Sequence, residues 1–160
     1  MKSNYFLLLF TFFIAIILTI VPMPQAIIWF RPQWILMALL FWIIAMPSYY
    51  GVILAWMMGV FTDMITGTPI GQQAFIFVFI AYAVLKLHPI IFHSPRWQQA
   101  LIIGIFAGIN VLMRSLILGF TGHSTHIGLN ALSILTTMVL WPLVHDLLDS
   151  LRANTSVHYP

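Results

Sequence analysis

Few side chains in this sequence could carry chemistry, and they are far apart. The only acids are Asp63, Asp146 and Asp149, and there is no Cys. A protease acting within a membrane would need a Ser–His pair, two facing Asp residues or a His-Glu-x-x-His helix. We expect Asp63 and Asp146 near opposite membrane faces, which argues against a carboxylate dyad. His123 and His126 supply only two metal ligands. The sequence therefore predicts no catalytic residue, metal site or cofactor.

Asp63 and Arg114 are the two charges that fall inside long apolar runs. A charged side chain within a membrane span costs several kcal/mol unless it is paired, hydrogen-bonded or near the interface. Both lie about one or two helical turns from the same predicted end of their spans, and Asn110 lies one turn deeper on the Arg114 face. We expect Asp63 and Arg114 to form a polar pair or share a pocket. The alternative is that Asp63 caps the following turn while Arg114 extends toward the interface.

The composition places the whole chain in a membrane. The 160 residues are 62% hydrophobic and 6% charged, and the mean hydropathy is +1.04. A soluble domain has about a quarter of its residues charged. This chain has too few charged residues to form a solvated polar surface. The six Lys and Arg residues are scattered, which argues against a nucleic-acid partner.

The charge-free runs predict a single polytopic domain, residues 1–160, that is all-α with six transmembrane helices. A bilayer core of roughly 30 Å needs about 20 helical residues. The second span is short enough to be tilted or broken, and His88 to Arg96 is predicted to be a loop. The predicted spans are 4–21, 33–46, 49–67, 72–87, 97–120 and 129–151.

The basic residues predict the orientation of these spans. With six crossings, Lys2, Lys86, Arg96 and Arg152 all fall on the side that the positive-inside rule assigns to the cytoplasm. Both termini are then cytoplasmic, and Arg31 lies outside.

Small residues recur at every fourth position of the third span, from Gly51 through Gly59 and Asp63 to Gly67. Ala100, Gly104 and Gly108 repeat the pattern in the fifth span. Such faces allow a neighbouring helix to approach closely. The neighbour is either another helix of this chain or a helix of another protein, and the spacing does not distinguish the two.

Several short motifs, in their order and spacing, resemble the MreD family of bacterial rod shape-determining membrane proteins, and most closely its proteobacterial branch. They begin with Arg31-Pro32-Gln33-Trp34 at the second span and continue with Gly59-Val60-Phe61-Thr62-Asp63. Carried onto this sequence, the motif positions are Arg31, Pro32, Trp34, Gly59, Asp63, Gly67, Gly71, Trp141 and Pro142.

The resemblance implies a non-enzymatic component of the cell-elongation complex in the bacterial inner membrane. The partner that the resemblance implies for this protein is MreC. It implies MreB, RodA and a class-B transpeptidase as members of the wider complex, and membrane lipid around the protein. It also implies six helices around a central cavity, similar to the substrate-binding subunits of vitamin-importing transporters. The motif residues are then expected to shape a turn or cavity, or to meet a periplasmic partner segment. The alternative function is a solute-binding membrane subunit of a transporter, which would need a pocket with several convergent polar groups.

Overall fold

The described part of the chain folds into six α-helices. The computed structural model describes residues 2–22, 24, 28–48, 51–120 and 127–156. The helices are α1 Lys2–Ile20, α2 Trp34–Ala45, α3 Val52–Thr66, α4 Gln72–His93, α5 Arg96–Phe120 and α6 Ile127–Ser156, with a short 3₁₀ turn at Ile28–Phe30 before α2. The six-helix, all-α prediction is confirmed. The predicted start of the third span at residue 49, together with His123 and His126, lies outside the described residues.

Three of the helices are long and apolar enough to cross a membrane: Gln72–His93, Arg96–Phe120 and Ala131–Ala153. Three shorter apolar segments accompany them, Tyr5–Ile20, Trp34–Ala45 and Val52–Thr66. Large apolar side chains point outward on several helices, among them Phe6, Ile53 and Phe75. An outward apolar surface of this kind is what a lipid environment permits, since lipid tails are as apolar as these side chains.

Helix α2 is the centre of the bundle. All ten residues from Ile35 to Ile44 are buried, and α2 contacts each of the other five helices. A helix that is apolar on every side has no face suited to water, so burial on all sides is its stable position. Its 12 residues span only about 18 Å at 1.5 Å per residue. The prediction of a short second helix is confirmed, but its sequence did not reveal that it fills the middle of the fold.

A side chain of another helix binds one backbone group at each end of α2. At the start, the backbone N–H of Gln33 donates to Thr137 Oγ1 of α6 at 3.1 Å. At the end, His88 Nε2 of α4 donates to the Ile44 carbonyl at 2.9 Å. Because the terminal N–H and C=O groups of a helix have no partner within it, these side chains allow a short helix to end inside the bundle.

The prediction of a loop from His88 to Arg96 was wrong, because α4 continues to His93. Pro89 lies inside the helix, where it removes one backbone N–H donor but does not end the helix. Membrane helices tolerate such prolines. The residue that ends α4 is Pro95, since a proline disfavours helical geometry in the residue before it. Ser94 accordingly has extended backbone angles, φ −76° and ψ 144°, and α5 begins at once.

A polar cavity beside the Asp63 turn

Asp63 fixes the turn that joins α3 to α4. It is fully buried, and its carboxylate accepts three donors from the chain that follows it. The Thr68 hydroxyl donates to Oδ1 at 2.7 Å, and the Gly71 N–H donates to Oδ2 at 2.9 Å. The Gln73 N–H lies 2.9 Å from Oδ1 and 3.1 Å from Oδ2. The carboxylate therefore occupies the N-terminus of α4, where free N–H groups and the helix dipole favour a negative charge.

Two glycines give the turn its shape. Gly67 and Gly71 have φ angles of +67° and +101°, in a region where a Cβ atom clashes with the backbone. Gly67 ends α3, and its N–H donates to the Asp63 carbonyl. The Gly59–Gly71 motif thus ends α3 and forms a turn that the Asp63 carboxylate stabilises through hydrogen bonds.

The small-residue faces of α3 and α5 pack within this chain. A Cβ atom on Gly59 would lie 2.2 Å from the Ala74 Cα of α4, so the two backbones touch. On α5, a Cβ atom on Gly104 would lie 3.0 Å from Met138 Sδ of α6. At these positions the alternative in which a groove receives another protein's helix is wrong, because α4 and α6 already fill the grooves.

A partly open cavity of about 370 Å³ lies next to this turn. Every helix contributes to its wall, through Thr19, Leu36, Thr66, Gln73, Arg114 and Ser133. We call this side of the molecule the cavity end. The expected cavity at the centre of the bundle is absent from the described residues, since α2 fills that position. The cavity occupies one end instead.

Hydrogen bonds join the lining residues Gln33, Asn110, Arg31 and Ser133 at the cavity wall. Asn110 Nδ2 of α5 donates to Gln33 Oε1 at 2.6 Å, and Gln33 Nε2 donates to the Ala107 carbonyl at 3.3 Å. Ser133 of α6 donates to the Arg31 carbonyl at 2.7 Å. These bonds tie the segment that precedes α2 to α5 and α6, and hold the Arg31-Pro32-Gln33-Trp34 motif in place.

Arg31 and Arg114 both line the cavity. Arg31 donates from Nη2 to the Val21 carbonyl beyond the end of α1, and its Nε is buried without a hydrogen-bond partner among the described residues. The direct pair predicted between Asp63 and Arg114 is not among the ion pairs within 4 Å that the described residues form. Asp63 caps the next helix, as the alternative stated, and lies near enough to interact electrostatically with Arg114.

The remaining motif residues lie apart from one another. Pro32 is buried, and Trp34 lines the cavity. Trp141 is fully buried at the middle of α6, with its ring 5.7 Å from that of His145. Pro142 follows inside the helix. The structure thus brings Arg31, Pro32 and Trp34 together at the cavity and leaves Trp141 and Pro142 elsewhere.

The opposite end of the bundle carries a small charged cluster. Arg96 Nε lies 3.3 Å from Asp146 Oδ1, with both side chains about half exposed or more. Arg96 Nη1 also lies 2.8 Å from a ring nitrogen of His145. The cluster joins the start of α5 to α6.

Sequence reasoning missed Gln33, Thr137 and Ser133 as parts of this site. Each is a single uncharged polar residue, and its sequence spacing does not show that it faces another helix. The available signal was polarity itself, because a polar side chain in an apolar run needs a hydrogen-bond partner.

Comparison with known proteins identifies the family. No solved structure matches the chain, so the similarity to vitamin-transporter subunits is not confirmed. The chain is 27% identical over 156 residues to the rod shape-determining protein MreD of Haemophilus influenzae, an alignment that covers 97% of this chain and 96% of the relative. The family profile for the rod shape-determining protein MreD matches residues 1–151. With nearly its whole length matched, this chain belongs to the MreD family of rod shape-determining membrane proteins.

Proposed function

We propose that this protein is a non-enzymatic component of the rod complex in the bacterial inner membrane, where it binds MreC. In the wider complex it would work with MreB, RodA and a class-B transpeptidase to organise peptidoglycan synthesis. The observation that carries the proposal is the family match over residues 1–151. The fold supports it, because the polar groups of the motif region mostly hold helices together, as a scaffold requires.

We infer that residues 1–160 form one domain that crosses the membrane six times, with both termini in the cytoplasm. The support is the alternation of helix ends. The cavity gathers the final turns of α1 and α3 and the C-terminal half of α5, together with the first turns of α2, α4 and α6. Successive helices therefore run in opposite directions. Since α2 and α3 are short, the bilayer would thin locally or the loops would enter it.

The absence of Cys makes this topology directly testable. Cys introduced at Ile70, in the exposed α3–α4 turn, should react with a membrane-impermeant maleimide from the periplasm. Cys introduced at Ser94, between α4 and α5, should react only after permeabilisation. Labelling of both positions from the same side would contradict six crossings.

The surface that we assign to MreC is an apolar groove beside the Arg31-Pro32 motif. It has a volume of about 350 Å³ and is lined by Phe30, Pro32, Leu132, Leu135, Thr136, Val139 and Leu140. Leu135 and Val139 are exposed. A groove with almost no polar lining suits a transmembrane or membrane-proximal helix, whose association in lipid relies on close packing.

Co-purification with tagged MreC tests this assignment. Leu135→Trp should obstruct the groove and lower the recovered MreC by about tenfold, which corresponds to roughly 1.4 kcal/mol. Leu112→Trp, on an equally exposed part of α5 (52% against 54%), is the matched control and should capture MreC normally. Both variants are also tested for restoring rod shape after depletion of the wild-type protein. Equal capture by the two variants would reject the groove, and no capture by the wild type would reject the MreC assignment.

A further inference from the structure

The cavity at the cavity end has an unbalanced positive charge. Arg31 and Arg114 line it, and no acidic side chain does so among the described residues. Asp63 lies nearby, but its carboxylate already accepts three hydrogen bonds from the α3–α4 turn. One engaged carboxylate beside two guanidinium groups leaves the site cationic. In a membrane environment an unpaired guanidinium is costly, so an anion that enters this cavity is stabilised.

The same cavity also presents acceptors that lack donors. Gln73 Oε1 and Asn110 Oδ1 are buried without a hydrogen-bond partner in the described structure. Both side chains line the cavity, and they are only 4% and 6% exposed. Buried carbonyl oxygens normally have a partner. Their missing donors must be O–H or N–H groups, and Arg31 Nε in turn lacks an acceptor.

Size and lining narrow the chemistry of the ligand further. A volume of about 370 Å³ lies in the range of small-molecule sites. Phe77, Val111 and Leu118 contribute apolar wall. The site therefore offers guanidinium groups for a phosphate, amide oxygens for hydroxyl groups and an apolar surface for a hydrocarbon segment.

We propose that this cavity binds the headgroup of an anionic phospholipid that carries free hydroxyl groups, of the phosphatidylglycerol class. The phosphodiester lies against Arg31 and Arg114, and the glycerol hydroxyls donate to Gln73 and Asn110. Free glycerol phosphate shares the polar chemistry but lacks the acyl chains that would lie along the apolar wall. The site adjoins the groove assigned to MreC, since Pro32 lines both, but lipid binding requires no partner protein.

Native mass spectrometry of the purified full-length chain tests the proposal. The delipidated protein is mixed with phosphatidylglycerol, with phosphatidylcholine or with glycerol 3-phosphate. We expect one phosphatidylglycerol per chain, bound at least about tenfold more tightly than either alternative, a difference of roughly 1.4 kcal/mol. Equal binding of phosphatidylglycerol and phosphatidylcholine would overturn the proposal. Equally tight glycerol 3-phosphate binding would assign the site to a soluble phosphate and overturn the lipid assignment.

Three variants locate the bound lipid. Arg114→Gln removes a guanidinium and should abolish the preference for phosphatidylglycerol. Val111→Phe keeps every charge but fills the cavity, and it should lower lipid occupancy about as much as Arg114→Gln does. Lys86→Gln removes an exposed cation from the other half of α4 and should leave binding unchanged. If Val111→Phe binds like the wild type, or if Lys86→Gln loses as much binding as Arg114→Gln, the lipid is held by general surface charge and the cavity assignment fails. A thermal unfolding curve for each variant confirms that binding is compared between folded proteins.

Discussion

Replacing Asp63 with Asn tests the role of the buried carboxylate most directly. The two side chains have the same shape, so packing in the α3–α4 turn should not change. Asn, however, presents one acceptor oxygen where Asp presents two. If the amide oxygen takes the Oδ1 position, it keeps the Thr68 hydroxyl at 2.7 Å and the Gln73 N–H at 2.9 Å. The amide NH₂ then faces the Gly71 N–H, which donates to Oδ2 at 2.9 Å in the native protein.

The expected loss follows from these contacts. A hydrogen bond to a charged group contributes about 1.5–3 kcal/mol, and Asn removes one such bond and weakens two others to neutral strength. Removing the charge also relieves a desolvation cost, but that cost is already offset in the native turn by three donors and the α4 N-terminus. We therefore expect Asp63→Asn to lower the free energy of unfolding by about 2–4 kcal/mol. For a chain of 160 residues this corresponds to a Tm lower by roughly 5–15 °C.

Size-exclusion thermostability of the detergent-solubilised protein measures this loss. Thr68→Val is the matched control, since it removes one donor and leaves the carboxylate with its two backbone N–H groups. We expect it to lower Tm by less than half as much as Asp63→Asn. An Asn variant as stable as the wild type would refute the reasoning. It would mean that the desolvation cost of the Asp63 charge equals the stabilisation that the hydrogen bonds of the turn give to that charge. A larger effect for Thr68→Val would place the stability in the hydroxyl instead of the carboxylate.

Three further substitutions, the first with a matched control, test the helix contacts and the backbone of the α3–α4 turn. Gly59→Ala should prevent stable folding because its Cβ would lie 2.2 Å from the α4 backbone. Gly108→Ala is the control and should fold normally, since its Cβ would meet its nearest atom at 3.7 Å. Equal yields of monodisperse protein from the two variants would contradict the close contact. Gly71→Ala, at φ +101°, should cost about 1–3 kcal/mol of stability, and an unchanged Tm would show that the turn relaxes without strain. Trp42→Phe removes the 2.8 Å hydrogen bond from Trp42 Nε1 to Thr11 Oγ1 that joins α2 to α1; we expect a loss of about 1–3 kcal/mol, and a stability equal to wild type would contradict it.

The Gly59–Gly71 motif has a clear structural role. Gly59 allows α3 and α4 to touch, Asp63 binds the start of α4, and the two left-handed glycines turn the chain between them. A substitution in this motif that abolishes rod shape would therefore act first through folding. Partner binding is better tested at exposed positions such as Leu135, where the side chain contributes little to the stability of the fold.

Much of the architecture could be predicted from the sequence because lipid imposes simple rules. Long uncharged apolar runs must be helical in a membrane, and charges and prolines mark where they end. This logic predicted six helices and the short second one. It failed at Pro89, because a proline inside a membrane helix need not end it, and the chain continues to His93.

The sequence by itself determined that this chain is an all-helical membrane protein, where its polar residues occur and which of them share a helix face. Only the tertiary structure decided which helix each face meets. It placed α2 in the centre, filled the Gly59 groove with α4, and turned Asp63 toward backbone N–H groups instead of Arg114. The physical reason is that hydropathy and helical spacing are properties of one segment. A hydrogen bond or a close backbone contact depends on the relative position of two segments, which only packing of the whole chain sets.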